Sequence, residues 1–288
     1  MTSSVPVIAV TGANGYVGSI IVRALRPVAE LVKLVRMPSE AGETKWSLDA
    51  GSDTVALELR RRGVTHLIHA AWDMKANSMD EVQSTCVEGS ARLLDAARIA
   101  GVKRIIFIST ISAFPGARSV YGRSKLAVEQ MALKAGGVVL RLGLVHGGNE
   151  RGVFGSLKQI VDEARFVPMI GDGSAPQYLL HEDTLADVVR RAVVGDFDGA
   201  NEPLTIAQPE SITFRALLRY IAGELGRHPI FVPVPWRVLY LALRATETVG
   251  MKLNFRSDSI VSFIFQNPSP DFNALDRFGI APKYFTVT

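Results

Sequence analysis

The 288-residue chain is 48% hydrophobic and 21% charged, with 32 Lys+Arg against 28 Asp+Glu for a formal net charge of +4. Together with a mean hydropathy of +0.19 this is the composition of a core-forming globular chain and excludes a disordered one. The run Arg60–Arg62 reads as a solvated helix end, so no nucleic-acid partner is expected, and the single Cys86 excludes an intramolecular disulfide and a multi-cysteine metal site.

In chain order, Val7–Val10 is a short apolar run that reads as a buried parallel strand. Val17, Ile20, Ile21, Ala24 and Leu25 give Gly15–Leu25 helical spacing, which stops at Pro27. Leu31–Val35 is a second strand, Thr54–Arg62 a helix, and Thr65–His69 a third strand. Met79–Ala100 is a long helical pattern closed by Gly101, followed by strand Arg104–Ser109, helix Val120–Lys134 and strand Val138–Leu142. Alternation of this kind implies βαβ units and a doubly wound parallel sheet in an α/β fold.

The pattern then loosens, with helices expected at Val153–Ala164, Thr184–Val194 and Thr213–Leu225 and a short strand at Leu204–Ile206. Pro233-Val234-Pro235 is expected to break the chain before the apolar stretch Trp236–Arg244. Trp236, Leu239, Tyr240 and Leu243 share a helical stripe there, read as packing on the second lobe, with a substrate wall or a membrane-facing patch as the sharper alternatives. No stretch approaches the ~20 apolar residues of a spanning helix. The N-terminal MTSSVPVIAVTG lacks the features of a signal peptide, so a cytoplasmic location is expected.

The loop Thr11-Gly12-Ala13-Asn14-Gly15-Tyr16-Val17-Gly18 follows a strand and opens a helix. Gly12 permits the tight turn, Gly15 the approach of a pyrophosphate, and Gly18 close helix–strand packing, so Gly12, Asn14, Gly15, Tyr16, Val17 and Gly18 are assigned to a dinucleotide. Arg36 stands at the end of the second strand, where a ribose-binding carboxylate is the alternative, and favours the 2′-phosphate of NADP(H) over NAD(H). Tyr121 and Lys125 are four apart on one helix face, where an ammonium would favour the phenolate and make the tyrosine a usable acid/base. Thr110 ends the fourth strand, facing the ligand crevice, and completes a catalytic set of Thr110, Tyr121 and Lys125.

These residues resemble the extended short-chain dehydrogenase/reductase superfamily, the NAD-dependent epimerase/dehydratase family, over roughly residues 5 to 210. TGANGYVG is similar to its glycine motif and VKRIIFIST to the strand that carries its catalytic Ser/Thr. YGRSK carries its Tyr and Lys onto Tyr121 and Lys125, and HEDTLADVV resembles a family helix start near Asp183. HAA resembles the segment under the adenosine, which implies cofactor contacts at Ala70 and Ala71; by the same resemblance Lys125, beside Tyr121, also binds the nicotinamide ribose. RLGLVHGG resembles the nicotinamide-site segment, with His146 as a pocket-edge or structural residue.

The departures narrow the chemistry. Cys86 stands where many members have Asn, and Ile111-Ser112 replace the acidic pair of the dehydratases. Pro176 or Gln177 stands where nucleotide-sugar members often grip a diphosphate with Arg; Arg151, Lys158 and Arg165 are the candidates to replace it. His146 and Arg151 are therefore the candidate substrate contacts.

The resemblance implies a Rossmann-type domain (1–147 and 178–209), a substrate-binding lobe (148–177 and 210–288), and a possible homodimer through Met79–Ala100 and Val120–Lys134. The leading expectation is an NADPH-dependent ketoreductase acting on the 4-keto group of a nucleotide-linked sugar. The alternatives are a nucleotide-sugar epimerase using the same residues, a reductase of small or hydrophobic carbonyl compounds, and a non-catalytic cofactor sensor or assembly subunit.

Overall fold

The structure is a computed structural model and describes residues 5–40, 42–74, 76, 78–148, 151–249 and 255–286. The chain opens with β1 (Val7–Thr11), α1 (Tyr16–Leu25), β2 (Glu30–Val35) and a short β3 (Glu43–Lys45), then returns through α2 (Ser52–Arg61) to β4 (His66–His69). α3 (Met79–Val82) passes through a π-helical turn, Gln83–Val87, into α4 (Glu88–Ala100), followed by β5 (Arg104–Thr110), α5 (Val120–Lys134), β6 (Val138–Leu142) and β7 (Leu144–His146). Next come α6 (Gly152–Glu163), β8 (Phe166–Ile170), β9 (Pro176–Gln177), β10 (Leu179–His181), α7 (Glu182–Val194) and β11 (Leu204–Ile206). The chain closes with β12 (Ile212–Thr213), α8 (Phe214–Glu224), β13 (Ile230–Val234), α9 (Trp236–Thr248), α10 (Ser257–Ile264) and α11 (Asn273–Arg277).

Seven strands form one parallel sheet in the order β11-β6-β5-β4-β1-β2-β3. The expected Rossmann-type doubly wound sheet is thus present. Its strands are apolar at successive positions because both faces are covered. Ile8, Val10, Ile68 and Ile106 pack in the layer of α1 and α7, whereas Ala9, Leu67, Phe107 and Val139 pack in that of α2, α4 and α5. Each of these side chains is fully buried, worth roughly 1.5–3 kcal/mol for a large aliphatic or Phe side chain. Strand order reverses between β1 and β4, so the crevice beyond their carboxyl ends is the topological switch point where such sheets bind ligands.

Local chemistry sets the element ends. Ser78 and Glu81 form a capping box at the start of α3, and α4 stops at Gly101 in the left-handed region. The basic run closes α2 as a helix end: Arg61 and Arg62 both pair with Glu58, and Arg60 reaches the Ile99 carbonyl.

A second cluster, built on Phe154, Leu157, Val161, Val167, Met169, Leu217, Leu218 and Ile221, packs α6 and α8 against the β8–β13 pair. Here the structure departs from the expected chain break: Pro233 lies inside β13, which runs parallel to β8, and Pro235 stands at the N-cap of α9. A two-stranded ribbon is all edge, so Pro168 and Pro233 cost it no central ladder bond. β3 also escapes hydrophobic patterning, because Glu-Thr-Lys at the sheet edge needs no apolar side chains. Among the described residues no helix is long and apolar enough to cross a membrane.

Candidate active site

The glycine loop lies at the switch point. Gly12 has φ +68°, and a Cβ there would stand 2.8 Å from the Ala71 nitrogen. A Cβ on Gly18 would stand 2.0 Å from the Gly12 carbonyl oxygen, so both positions need glycine. Gly15, the N-cap of α1, makes no side-chain cap, so the positive N-terminal end of α1 meets the loop without a capping side chain in the way of an anionic group. The exposed Asn14 and Gly15 face the same opening. These features fit a dinucleotide pyrophosphate.

A buried relay holds the floor of this loop. Ala70 N and Ala71 N each donate to Thr11 Oγ1 at 3.1 Å. With both lone pairs used, the Thr11 hydroxyl donates to His69 Nδ1 at 2.7 Å. His69 Nε2–H then donates to Ser90 Oγ at 2.8 Å, and Ser90 to the Cys86 carbonyl at 2.6 Å. Burial, seconded by Lys125, holds the His69 imidazole neutral, its pKa lowered to about 3. Cys86 lies on the π-turn, fully buried, with burial pushing its thiol pKa up; its Sγ accepts from Asp73 N at 3.4 Å.

Thr110, Tyr121 and Lys125 converge from β5 and α5. Trp72 follows Ala71 and packs edge-on against Tyr121, with centroids 6.0 Å apart, which links the glycine-loop floor to the phenol. Burial pushes the Tyr121 phenol up to about 12, outweighing its hydrogen bond with Thr110. Lys125 is 3% exposed; its Nζ donates to the Ile108 carbonyl at 2.8 Å and lies over the Trp72 and Phe107 rings at 4.3 and 4.7 Å. Burial lowers its own pKa to about 7. The structure thereby departs from one expectation. The Lys125 Nζ is directed at Ile108 and two rings, and burial leaves the Tyr121 phenol above its ordinary pKa.

Three contacts fix α5: one local cap and two long-range contacts that no sequence motif marks. Ser119 caps the helix by accepting from Gly122 N. Asp258 of α10 accepts from Val120 N at 2.8 Å and from Tyr121 N at 3.0 Å. Glu129, fully buried one turn beyond Lys125, takes two bonds from Arg141 of β6, at 2.9 and 2.6 Å, and a third from Ser109 at 2.5 Å.

The remaining candidates lie elsewhere. Arg36 is exposed just past β2. Nearby, Asn14 Nδ2 donates to Glu43 Oε1 at 3.3 Å. Bonds from Ser39 and Asn14, with the amide of Glu40 and the charge of Lys33, hold the Glu43 carboxyl down at about 2 against partial burial. Sequence reading missed this carboxylate because β3 carries no motif. Arg151 is exposed and donates to Ser19 on α1 at 3.1 Å. His146 is 6% exposed and packs against Phe154, His181 and Phe285, its buried Nε2 without a hydrogen-bond partner. It lines a cavity of about 280 Å³ with Phe154, His181, Tyr220 and Lys283; Thr110, Tyr121 and Lys125 do not line that cavity. His146 and Arg151 are therefore not gathered around the Tyr121 phenol.

Comparison with known proteins places the fold and the family. The chain is 25% identical over 247 residues to a ceramide reductase of Caulobacter vibrioides, covering 80% of this chain and 74% of that protein. It is 24% identical over 272 residues to GDP-mannose 3,5-epimerase 1 of rice, Oryza sativa subsp. japonica, covering 77% and 71%. The crystal structure of the UDP-glucose 4-epimerase of Thermotoga maritima with UDP-glucose shares the fold, with a TM-score of 0.68 at 21% identity over 80% of this chain and 86% of that one. The family model of the NAD-dependent epimerases and dehydratases matches residues 8–206. That span runs from β1 to β11 and contains the glycine loop, Thr110, Tyr121 and Lys125, and the chain belongs to the NAD-dependent epimerase/dehydratase family.

Proposed function

We propose that this protein is an NAD(P)H-dependent carbonyl reductase in which Tyr121 is the proton donor. The observation that carries the reading is the convergence of Thr110, Tyr121 and Lys125 from β5 and α5 at the switch-point crevice, with Tyr121 hydrogen-bonded to Thr110. A bound reduced dinucleotide supplies hydride to the carbonyl carbon. Tyr121 gives its phenolic proton to the carbonyl oxygen, and Thr110 orients that oxygen. Lys125, on the same face of α5, would hold the nicotinamide ribose. Residues 1–147 and 178–209 bind the dinucleotide, and 148–177 with 210–288 bind substrate. Arg36 supports a preference for NADP(H) over NAD(H), whereas the Glu43 carboxylate beside Asn14 opposes a 2′-phosphate; Arg36→Ala should remove whatever preference for NADPH the wild type has.

The surroundings of Tyr121 favour a hydrophobic carbonyl substrate. Trp72 packs edge-on against the phenol at 6.0 Å between centroids. The candidate replacements for a diphosphate grip are committed elsewhere: Arg151 to Ser19, Arg165 to the exposed Phe166 ring, and Lys158 to the wall of the His146 cavity. The ceramide reductase among the relatives is in keeping with this reading. A second reading, a nucleotide-linked 4-keto sugar as reductase or epimerase substrate, draws on the GDP-mannose epimerase relative.

Purified protein is assayed for oxidation of NADPH and NADH against long-chain ketones and nucleotide-linked 4-keto sugars in parallel. Turnover with the ketones alone supports the first reading, and turnover with the sugars alone supports the second. No turnover by either, with dinucleotide bound, overturns the reductase assignment.

A further inference from the structure

We infer that α9 and the β8–β13 ribbon form a docking surface for an anionic membrane face. α9 is apolar on two sides. Trp236, Leu239, Tyr240 and Leu243 are half-buried, on the side that meets α10. On the other side Val238 (55% exposed), Leu241 (64%) and Val249 (72%) face solvent with Ala242 and Ala245 between them. A helix with apolar residues on both sides normally has a partner on each. The strand that leads into α9 continues the pattern: Ile230 and Val232 of β13 are exposed, as are Phe166 and Pro168, their register partners on β8.

Charge selects the occupant. Residues 226–246 contain Arg227, Arg237 and Arg244 and no Asp or Glu, and Arg227 is paired with Asp162 at 2.8 Å, which leaves the charge of the α9 face to Arg237 and Arg244. Arg237 and Arg244 are exposed beside the apolar stripe, and Arg165 is exposed over the Phe166 ring. The one acid of α9, Glu247, is turned inward to Ser257 and Arg256, with Arg244 Nη1 at 3.4 Å. Large apolar side chains with arginines alongside are the pattern of a helix lying in the headgroup layer, where apolar burial and attraction to anionic lipid add. A soluble partner of net negative charge would satisfy the arginines alone, and a neutral partner the apolar residues alone. This surface lies outside the Tyr121 machinery and does not depend on the reductase reading.

The test is flotation of the full-length protein with vesicles of phosphatidylcholine alone or mixed with phosphatidylglycerol. Binding to the mixed vesicles and at least tenfold weaker binding to pure phosphatidylcholine is expected. Val238→Glu/Leu241→Glu should abolish binding, and Arg237→Gln/Arg244→Gln should weaken it about thirtyfold, from roughly fivefold per cation near an anionic surface. Val238→Glu/Leu241→Glu should keep the wild-type circular dichroism and thermal midpoint, because both residues are exposed; the arginine variant, which also loses the Arg244–Glu247 pair, should keep the circular dichroism with a slightly lower midpoint. Failure to float with mixed vesicles, or flotation that neither pair of substitutions changes, overturns the proposal. So does a wild-type dimer in solution that Val238→Glu/Leu241→Glu converts to monomer, since the face is then a contact between copies of this chain.

Discussion

Replacing Asp258 by Ala should slow catalysis more than it destabilises the fold. The carboxylate accepts from Val120 N and Tyr121 N at 2.8 and 3.0 Å, so it caps the first turn of the helix that carries the phenol. Losing an N-cap costs about 0.5–2 kcal/mol, and removing a negative charge from a helix N-terminus costs about 0.3–1 kcal/mol. Ser119 still caps Gly122 N, so the net loss should be about 1–2 kcal/mol. Tyr121 is the residue whose backbone is released, and a displacement near 1 Å in a reacting group costs on the order of 100-fold. Asp258→Ala should therefore lower kcat by about 10- to 100-fold with little change in dinucleotide Kd. Asp258→Asn, which keeps one acceptor oxygen, should fall between the two. Urea unfolding with steady-state kinetics on all three proteins separates the effects. Wild-type kcat in a destabilised Asp258→Ala protein would refute the positioning role, leaving a cap with no influence on the phenol.

Glu129→Ala strands Arg141 and Ser109 inside the protein and should cost about 3–5 kcal/mol in urea unfolding, the range for breaking a buried pair. Gly18→Ala should abolish dinucleotide binding and lower the thermal midpoint, because its Cβ meets the Gly12 carbonyl at 2.0 Å; Gly15→Ala, whose Cβ meets only the Gly12 oxygen at 3.1 Å, should fold and bind more weakly. Burial lowers His146 to about 4 and His69 to about 3, below the ordinary 6.5, so the unfolded chain binds more protons between these values. Stability should then fall as pH drops from about 6.5 toward 4, and His146→Leu should shrink the fall in urea midpoint. Lys125, lowered to about 7 from 10.5, has the same sign at higher pH: stability should rise between about 7 and 10, and Lys125→Met should flatten that rise.

Local pattern and chemistry carried the first half of the chain. Except for β3, the strands of the large sheet are short, mainly apolar runs, and the glycine loop and the Tyr121–Lys125 pair lie where a turn and a helix face demand them. Sequence spacing could not show which way the Lys125 ammonium points; Ile108, Trp72 and Phe107 decide that in three dimensions. Asp258 lies 137 residues from Tyr121, and Glu43 lies 29 from Asn14, so neither pairing leaves a local signal. The β8–β13 ribbon was hidden because Pro233 reads as a break, although a two-stranded edge tolerates it, as it does Pro168 on the partner strand. The helical pattern of 79–100 was legible, but its π-turn, which carries Cys86 inward, has no compositional mark.

The most direct measurement compares Tyr121→Phe with the wild type by single-turnover reduction of a responsive ketone or 4-keto sugar, alongside dinucleotide titration. Loss of the phenolic proton should slow the chemical step by about 100- to 10,000-fold, the usual share of a general acid, with dinucleotide Kd within a few-fold of wild type. A Tyr121→Phe protein that turns over at the wild-type rate would contradict the assignment of Tyr121 as proton donor.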